Sequence, residues 1–424
     1  MKQKLSFVLT AFSLCSTMLF SQNITPDIYS WKRNTTGATG YNNIPADVQH
    51  VHYASDYVYV ASTGIPLYPI GPWNGNPNGA TNQNFIFKIT RHPVENIGTK
   101  TATALGHIGV LANGVTFFNP KDAMSYHNQN IWHQNAVVVE GPGFDSCLGH
   151  PQQQGEYHHH QNPKCLYTPT PNQHSPIIGF SFDGFPIYGA YAFENTNGTG
   201  NIVRMKTSFH KRNITVRHSL PNGTILQTAQ YGPDVSTQYP VGYYIEDFEF
   251  INGSGNLDSN NGRFSVTPDY PNGTYAYFAA MDSLGNSEYP YLIGPQYYGV
   301  VTTGNTGPNS GHNTVPDSAV EYTGGTSVGG NNYATPNQFM LYQNYPNPFN
   351  PFTIFNFRLP ISSSVTLKIY DVLGQEVAIL LSKQEMQAGE HSVSFDATNL
   401  SSGMYFYRIQ AKDFSETKKL VLIK

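Results

Sequence analysis

Charge is what this chain has least of. Asp, Glu, Lys and Arg make up 12% of its 424 residues, about half the usual quarter. With 23 basic against 27 acidic side chains and no basic run, the electrostatic stripe that nucleic acid requires is absent. No glycine-rich loop ending in lysine is present, which argues against a nucleotide enzyme. Ser175 and Ser181 lack the G-x-S-x-G frame of a nucleophile elbow. Sustained helical periodicity is missing, and past the N-terminus no apolar run reaches the ~18 residues that cross a bilayer. Cysteine is rare too, at three residues.

Aromatic residues and turn formers are plentiful: 29 Tyr, 25 Phe, 39 Gly and 29 Pro. That composition predicts turn-dense, mainly β (all-β) structure. Short runs such as Tyr57–Val60, Phe85–Ile89 and Ala136–Val139 read as strands, separated by turns at Asn113-Gly114, Asp183-Gly184, Asn222-Gly223, Asn261-Gly262 and Asn272-Gly273. Lys2 and Lys4 followed by an apolar stretch to Phe20 predict a signal peptide over 1–21. Leu14 is too bulky for the position before a lipidated Cys15, so lipidation is set aside. The mature chain is then expected outside the cytoplasm with no membrane-spanning segment, and Cys147 and Cys165 are left to pair in an oxidising compartment. Residues 22–299 read as one large, mostly antiparallel module. The Gly/Thr/Asn/Ser-rich stretch 300–338 reads as a flexible linker, and the alternating runs of 339–424 as a small β-sandwich.

The chemistry concentrates in histidine. His150, His158, His159, His160 and His174 fall in the densest part of the sequence, and clustered neutral imidazoles are raw material for a transition-metal site. In an extended strand His158 and His160 share a face and His159 points away. His150 or His174 would complete the set, Asp183 is a candidate carboxylate, and copper or zinc is the expected ion. His50-x-His52 repeats the spacing, and His133 follows Trp132. Solitary histidines, among them His107, His127 and His312, read as surface or hydrogen-bonded side chains. Acidic stretches Tyr244–Glu249 and Asn256–Gly262 offer oxygen ligands for Ca²⁺, although the second misses EF-hand spacing. Two alternatives stay open: a non-catalytic glycan- or matrix-binding surface built on aromatic side chains, and a metal-free hydrolase.

Two resemblances add roles. Gly141-Pro142-Gly143-Phe144-Asp145, Tyr157-His158-His159-His160, His174-Ser175-Pro176 with Phe182-Asp183-Gly184-Phe185-Pro186, and Tyr270-Pro271-Asn272-Gly273-Thr274-Tyr275 together resemble the YHYH-domain family, from about Ala104 to Gly299. The third motif position here is His159 in place of tyrosine, and the family name brings no established reaction. Tyr345-Pro346-Asn347-Pro348-Phe349-Asn350-Pro351, Tyr370-Asp371-Val372-Leu373-Gly374, Leu400–Tyr405 and the closing Lys419–Lys424 resemble the C-terminal sorting domain of the type IX (Por) secretion system, an immunoglobulin-like sandwich. That resemblance implies export through the periplasm and a secreted or cell-surface location. It also implies the secretion machinery and its sorting peptidase as partners, and attachment to surface lipopolysaccharide.

Overall fold

The computed structural model describes residues 24–307, 310–324, 339–341, 343–344, 347–386 and 389–424; the expected signal peptide lies outside them. A helical turn α1 (Pro26–Tyr29) precedes a four-stranded sheet. Its strands are β1 (Val48–Tyr53), β2 (Tyr57–Ser62) and β3 (Phe85–Thr90), and its far edge is β18 (Val320–Glu321) beside β1. In β3 the alternation of Phe85, Phe87 and Ile89 buries every second side chain, as a half-covered strand should.

The central sheet contains β4 (His107–Leu111), β5 (Thr116–Phe118), β8 (Gly149–Pro151), β9 (Tyr157–His159), β10 (Ile177–Ser181), β11 (Pro186–Tyr188), β16 (Gly262–Ser265) and β17 (Thr274–Phe278). Its order, β16-β17-β11-β10-β4-β5-β9-β8, reads as two four-stranded halves related by a pseudo-two-fold axis. Val110 faces Phe180 on that axis, flanked by Gly109 facing Ser181 and Leu111 facing Gly179. Outward from it, the parallel pairing of Phe117 with His159 matches that of Ile187 with Tyr277. The antiparallel pairing of Gly149 with His159 likewise matches that of Gly262 with Tyr277. The equivalence extends to local chemistry. Asp145 and Asp258 each accept a hydrogen bond from a tyrosine, Tyr157 or Tyr275. Leu148 and Asn261 both hold positive φ. A β-carbon on Gly149 or Gly262 would collide with the matching tyrosine hydroxyl.

Within the first half, between β5 and β8, is inserted β6 (Lys121–Ser125) paired with β7 (His133–Asn135), and within the second, between β11 and β16, are two ribbons, β12 (Tyr191–Phe193) with β13 (Ile202–Arg204) and β14 (Phe209–Lys211) with β15 (Phe248–Phe250). Ala136–Val139, expected as a strand, is instead the helical turn α2, because the Asn135 side chain accepts from Val137 N and caps it. Residues 300–324, expected to be linker, return to the sheets: Asn305 bonds both backbone groups of Lys88, His312 bridges Ile86, and β18 pairs with β1. Residues 325–338 lie outside the described residues. Cys147 and Cys165 form the expected disulfide.

The C-terminal part is a sandwich of β19 (Met340–Leu341), β20 (Phe352–Leu359) and β23 (Gly389–Asp396) against β21 (Ser363–Tyr370), β22 (Glu376–Met386), β24 (Gly403–Ala411) and β25 (Phe414–Leu422). It has its own core, centred on Phe355, Leu367, Tyr407 and Leu420. The mainly β reading of the sequence holds throughout. No helix among the described residues is long and apolar enough to cross a membrane.

Candidate metal centre

The hairpin of β8 and β9 places His150 directly across from His158. Such cross-strand neighbours sit within about 5.5 Å, and their ring centroids are 4.5 Å apart. The two-residue period then divides the triplet. Tyr157 and His159 turn to one face, where Tyr157 Oη donates to Asp145 (3.2 Å), His159 Nδ1 meets Leu148 O (3.0 Å) and His159 Nε2 meets Tyr68 Oη (3.1 Å). His158 and His160 turn to the other. Phe118 stacks on His158 with centroids 3.7 Å apart, and Phe144 lies beside His150 at 4.9 Å.

Hydrogen bonding fixes the tautomers of the central pair. His158 Nδ1 donates to Glu156 O (3.0 Å) and His160 Nδ1 to Asn119 O (2.9 Å). In the neutral rings both Nε2 atoms therefore carry bare lone pairs, and these face one another at 3.1 Å. Glu140 supplies a carboxylate at the same point, its Oε2 lying 3.1 Å from His160 Nε2 and 2.9 Å from His150 Nε2. That 2.9 Å approach does not run along an N–H bond, since both atoms are buried and neither has an aligned hydrogen-bond partner. Asn76 Nδ2 approaches His150 Nδ1 only at 3.4 Å, too long to bind it firmly. The four ligand atoms lie within 4.8 Å of one another. Tetrahedral ligands on bonds of 2.0–2.1 Å would stand about 3.3 Å apart. Three imidazoles and one carboxylate fit a borderline cation far better than a hard one such as Ca²⁺.

Electrostatics agrees. Burial, reinforced by His160 and His150, holds the His158 pKa well below the usual value, so this ring is neutral and ready to ligate. Burial also acts to raise the Glu140 pKa, but His150 and His160 outweigh it and hold the carboxyl ionised. Asp122 has its pKa raised by burial and by the Glu140 charge. Lys121, Asp122, Phe118 and the four clustered residues Glu140, His150, His158 and His160 line a cleft of about 170 Å³, below the ~300 Å³ where drug-sized ligands begin. The cleft suits water, dioxygen or a protruding group of something larger.

Two of the five expected ligands stand elsewhere. His174 donates from Nδ1 to Ser175 O (2.8 Å) and lies edge-on to Tyr188. Asp183, fully buried, accepts from Tyr277 Oη (2.6 Å) and Gly299 N (2.8 Å) in the β10–β11 turn. Its place as the carboxylate is taken by Glu140, which sequence reading missed by one residue at the edge of the Gly141–Asp145 motif. The acidic stretches considered for Ca²⁺ are occupied by protein partners. Asp247 pairs with buried Arg217 (2.7 Å), Glu246 with His133 (2.6 Å), and Asp258 accepts from Asn260 N and Tyr275 Oη.

Residues 86–287 match the family described as YHYH protein, and residues 343–424 match the secretion system C-terminal sorting domain. The chain carries a YHYH domain and a C-terminal sorting domain. The sorting domain marks it for the type IX secretion machinery and for a secreted or cell-surface location. No curated protein matches the chain. Among solved structures, the Ig1 domain of mouse SynCAM 2 is similar over 17% of this chain and 80% of its own, at 19% identity and a TM-score of 0.12, a likeness too slight to bear on the fold.

The pseudo-symmetry gives the YHYH motif an internal control. Its counterpart in the other half of the central sheet is Tyr275-Ala276-Tyr277-Phe278, with Arg263 opposite Ala276. Both tyrosine positions are kept there, and all three histidine positions are lost. The same scaffold thus folds without any of the convergent imidazoles.

Proposed function

We propose that this exported YHYH protein binds one transition-metal ion, copper or zinc, through His150, His158, His160 and Glu140. The observation that carries the reading is the pair of Nε2 lone pairs held 3.1 Å apart, each ring locked by an Nδ1 donation to a backbone carbonyl. Such an arrangement is repulsive unless a cation or proton sits within it, and outer hydrogen bonds of this kind orient metal-ligating histidines. The counterpart half speaks against a purely structural role, since Arg263, Ala276 and Phe278 serve there. A bound ion would supply Lewis acidity to a small oxygen ligand entering from the cleft. Asp122 is placed there to hold or accept a proton, while Phe118 and Phe144 keep bulk water off the rings. After release from the sorting step the chain is expected on surface lipopolysaccharide or free in the medium.

Metal analysis of the mature chain, loaded with Cu²⁺ or Zn²⁺ and desalted, should return close to one equivalent. Less than one tenth of an equivalent, with the fold intact, overturns the assignment.

A second reading, the metal-free hydrolase, is favoured by one alignment: Ser310 Oγ lies 2.9 Å from His107 Nε2, and His107 Nδ1 lies 2.9 Å from buried Glu156. In that reading Ser310 Oγ attacks an ester carbonyl, its proton passes through His107 to the leaving alkoxide, and water frees the acyl group. However, the Ser310 hydroxyl is also directed at Gly307 O (2.7 Å), which competes with the histidine. Labelling of Ser310 by a fluorophosphonate in the presence of a strong chelator would support it; absence of labelling removes it.

A further inference from the structure

A second cleft, of about 370 Å³, lies beside the metal centre and is walled by Tyr126, Tyr239, Tyr243 and Tyr244, with Asn128 and Gln134 at its rim. The rings meet edge to face: Tyr239 with Tyr243 at 5.3 Å, Tyr243 with Tyr244 at 5.0 Å, and Tyr126 with Tyr244 at 6.4 Å. No Asp, Glu, Lys or Arg lines it. The Tyr126 and Tyr243 hydroxyls have no hydrogen-bond partner among the described residues, whereas a tyrosine at a binding surface normally finds one for its polar tip. The rim turn is strained, with His127, Asn128 and Asn130 all at positive φ. It is held there by Ser125 Oγ accepting from Asn130 N and by His133 against Asn130 Oδ1. Backbone of this kind gathers at functional sites.

We infer that the tyrosine cleft binds a neutral oligosaccharide. The apolar C–H face of a pyranose fits flat aromatic walls, its hydroxyls satisfy the free phenols and the Asn128 and Gln134 amides, and the lack of charge excludes acidic or basic ligands as the preferred class. The direction of the bound chain follows from β6. Lys121, Asp122 and Ala123 line the metal-centre cleft, and Met124 and Ser125 line the tyrosine cleft. Burial, Tyr239 and Asp122, in that order, raise the Tyr243 pKa, so Asp122 of one cleft is felt in the other. A glycan seated on the tyrosines extends towards Glu140 and the three histidines. That last statement rests on the metal reading, while the binding itself does not.

The test is calorimetric titration of the mature chain, both Zn²⁺-loaded and chelated, with cellohexaose, xylohexaose, mannohexaose and chitohexaose. At least one should bind with a Kd below 1 mM in both forms. Tyr243→Ala and Tyr126→Ala should each weaken it about tenfold, with unchanged metal content and melting temperature, and Tyr243→Phe should keep most of the affinity. No saturable binding up to 5 mM by any of the four, or affinity indifferent to both alanine changes, overturns the inference. Loss of binding with one equivalent of metal retained would leave the metal reading standing, and glycan binding without metal uptake would do the reverse.

Discussion

Replacing His158 by Asn separates ligand from scaffold. The Asn amide reaches about as far as Nδ1 and can still donate to Glu156 O, but it has no counterpart of Nε2, the atom that meets His160 Nε2 at 3.1 Å. Structural zinc sites contribute roughly 10–16 kcal/mol, so one ligand of four accounts for about 3 kcal/mol, or about 100-fold in affinity. At a metal concentration 100 times the wild-type Kd, the wild-type fold gains about 2.7 kcal/mol and the variant about 0.4 kcal/mol. For a unit of roughly 300 residues, here 24–324, that is about 4 °C of melting temperature against less than 1 °C. Without metal the variant should lose only about 1–2 kcal/mol, from the vacated stack on Phe118. The assay is thermal unfolding with and without Zn²⁺ or Cu²⁺, each variant compared with its own metal-free state. Equal metal-induced shifts in both proteins would refute the assignment of His158 as a ligand.

Further outcomes follow from other parts of the molecule. The double change Cys147→Ser and Cys165→Ser, which opens a loop with a sequence separation of 18, should cost about 3 kcal/mol by denaturant unfolding. It should also weaken metal uptake, since the loop contains the β8–β9 hairpin; unchanged uptake would show that β pairing alone holds the ligands. Burial, partly offset by the bond to Ser175 O and reinforced by Arg263, lowers the His174 pKa to about 4. Between pH 6.5 and 4 the unfolded chain therefore binds the proton first, and stability falls with falling pH by up to about 3 kcal/mol. His174→Phe should flatten that slope, and an unchanged slope would show that other groups cause it. Arg217→Met, which leaves the fully buried Asp247 without its cation, should cost about 3–5 kcal/mol. A loss under 1 kcal/mol would mean that Gly242 N and Tyr244 N suffice for Asp247.

The alternation in the triplet was readable because a strand has a period of two: His158 and His160 on one face, His159 on the other. Glu140 was not readable, since it arrives from a helical turn whose Val-rich sequence resembles a strand and whose identity depends on one capping side chain, Asn135. The return of residues 300–324 was masked by their Gly- and Asn-rich composition. Their hydrogen bonds to β1 and β3 are made by the Asn305 and Asn313 side chains and by backbone groups, not by large apolar side chains. The internal duplication is faint in sequence because few positions are shared. Glycines at Gly109 and Gly179, aspartates at Asp145 and Asp258 and tyrosines at Tyr157 and Tyr275 recur at unequal intervals, and only the sheet order aligns them.

By itself the sequence determined the β class, the export address at the C-terminus, the pairing of Cys147 with Cys165 and the family motif, because each is written in local pattern or contiguous residues. The tertiary structure alone decided which side chains share a point in space. Hydrogen-bonded register brought His150 opposite His158, a capped turn delivered Glu140, and two backbone carbonyls, Glu156 O close by and Asn119 O from a distant strand end, chose the tautomers that leave two imidazole nitrogens facing each other.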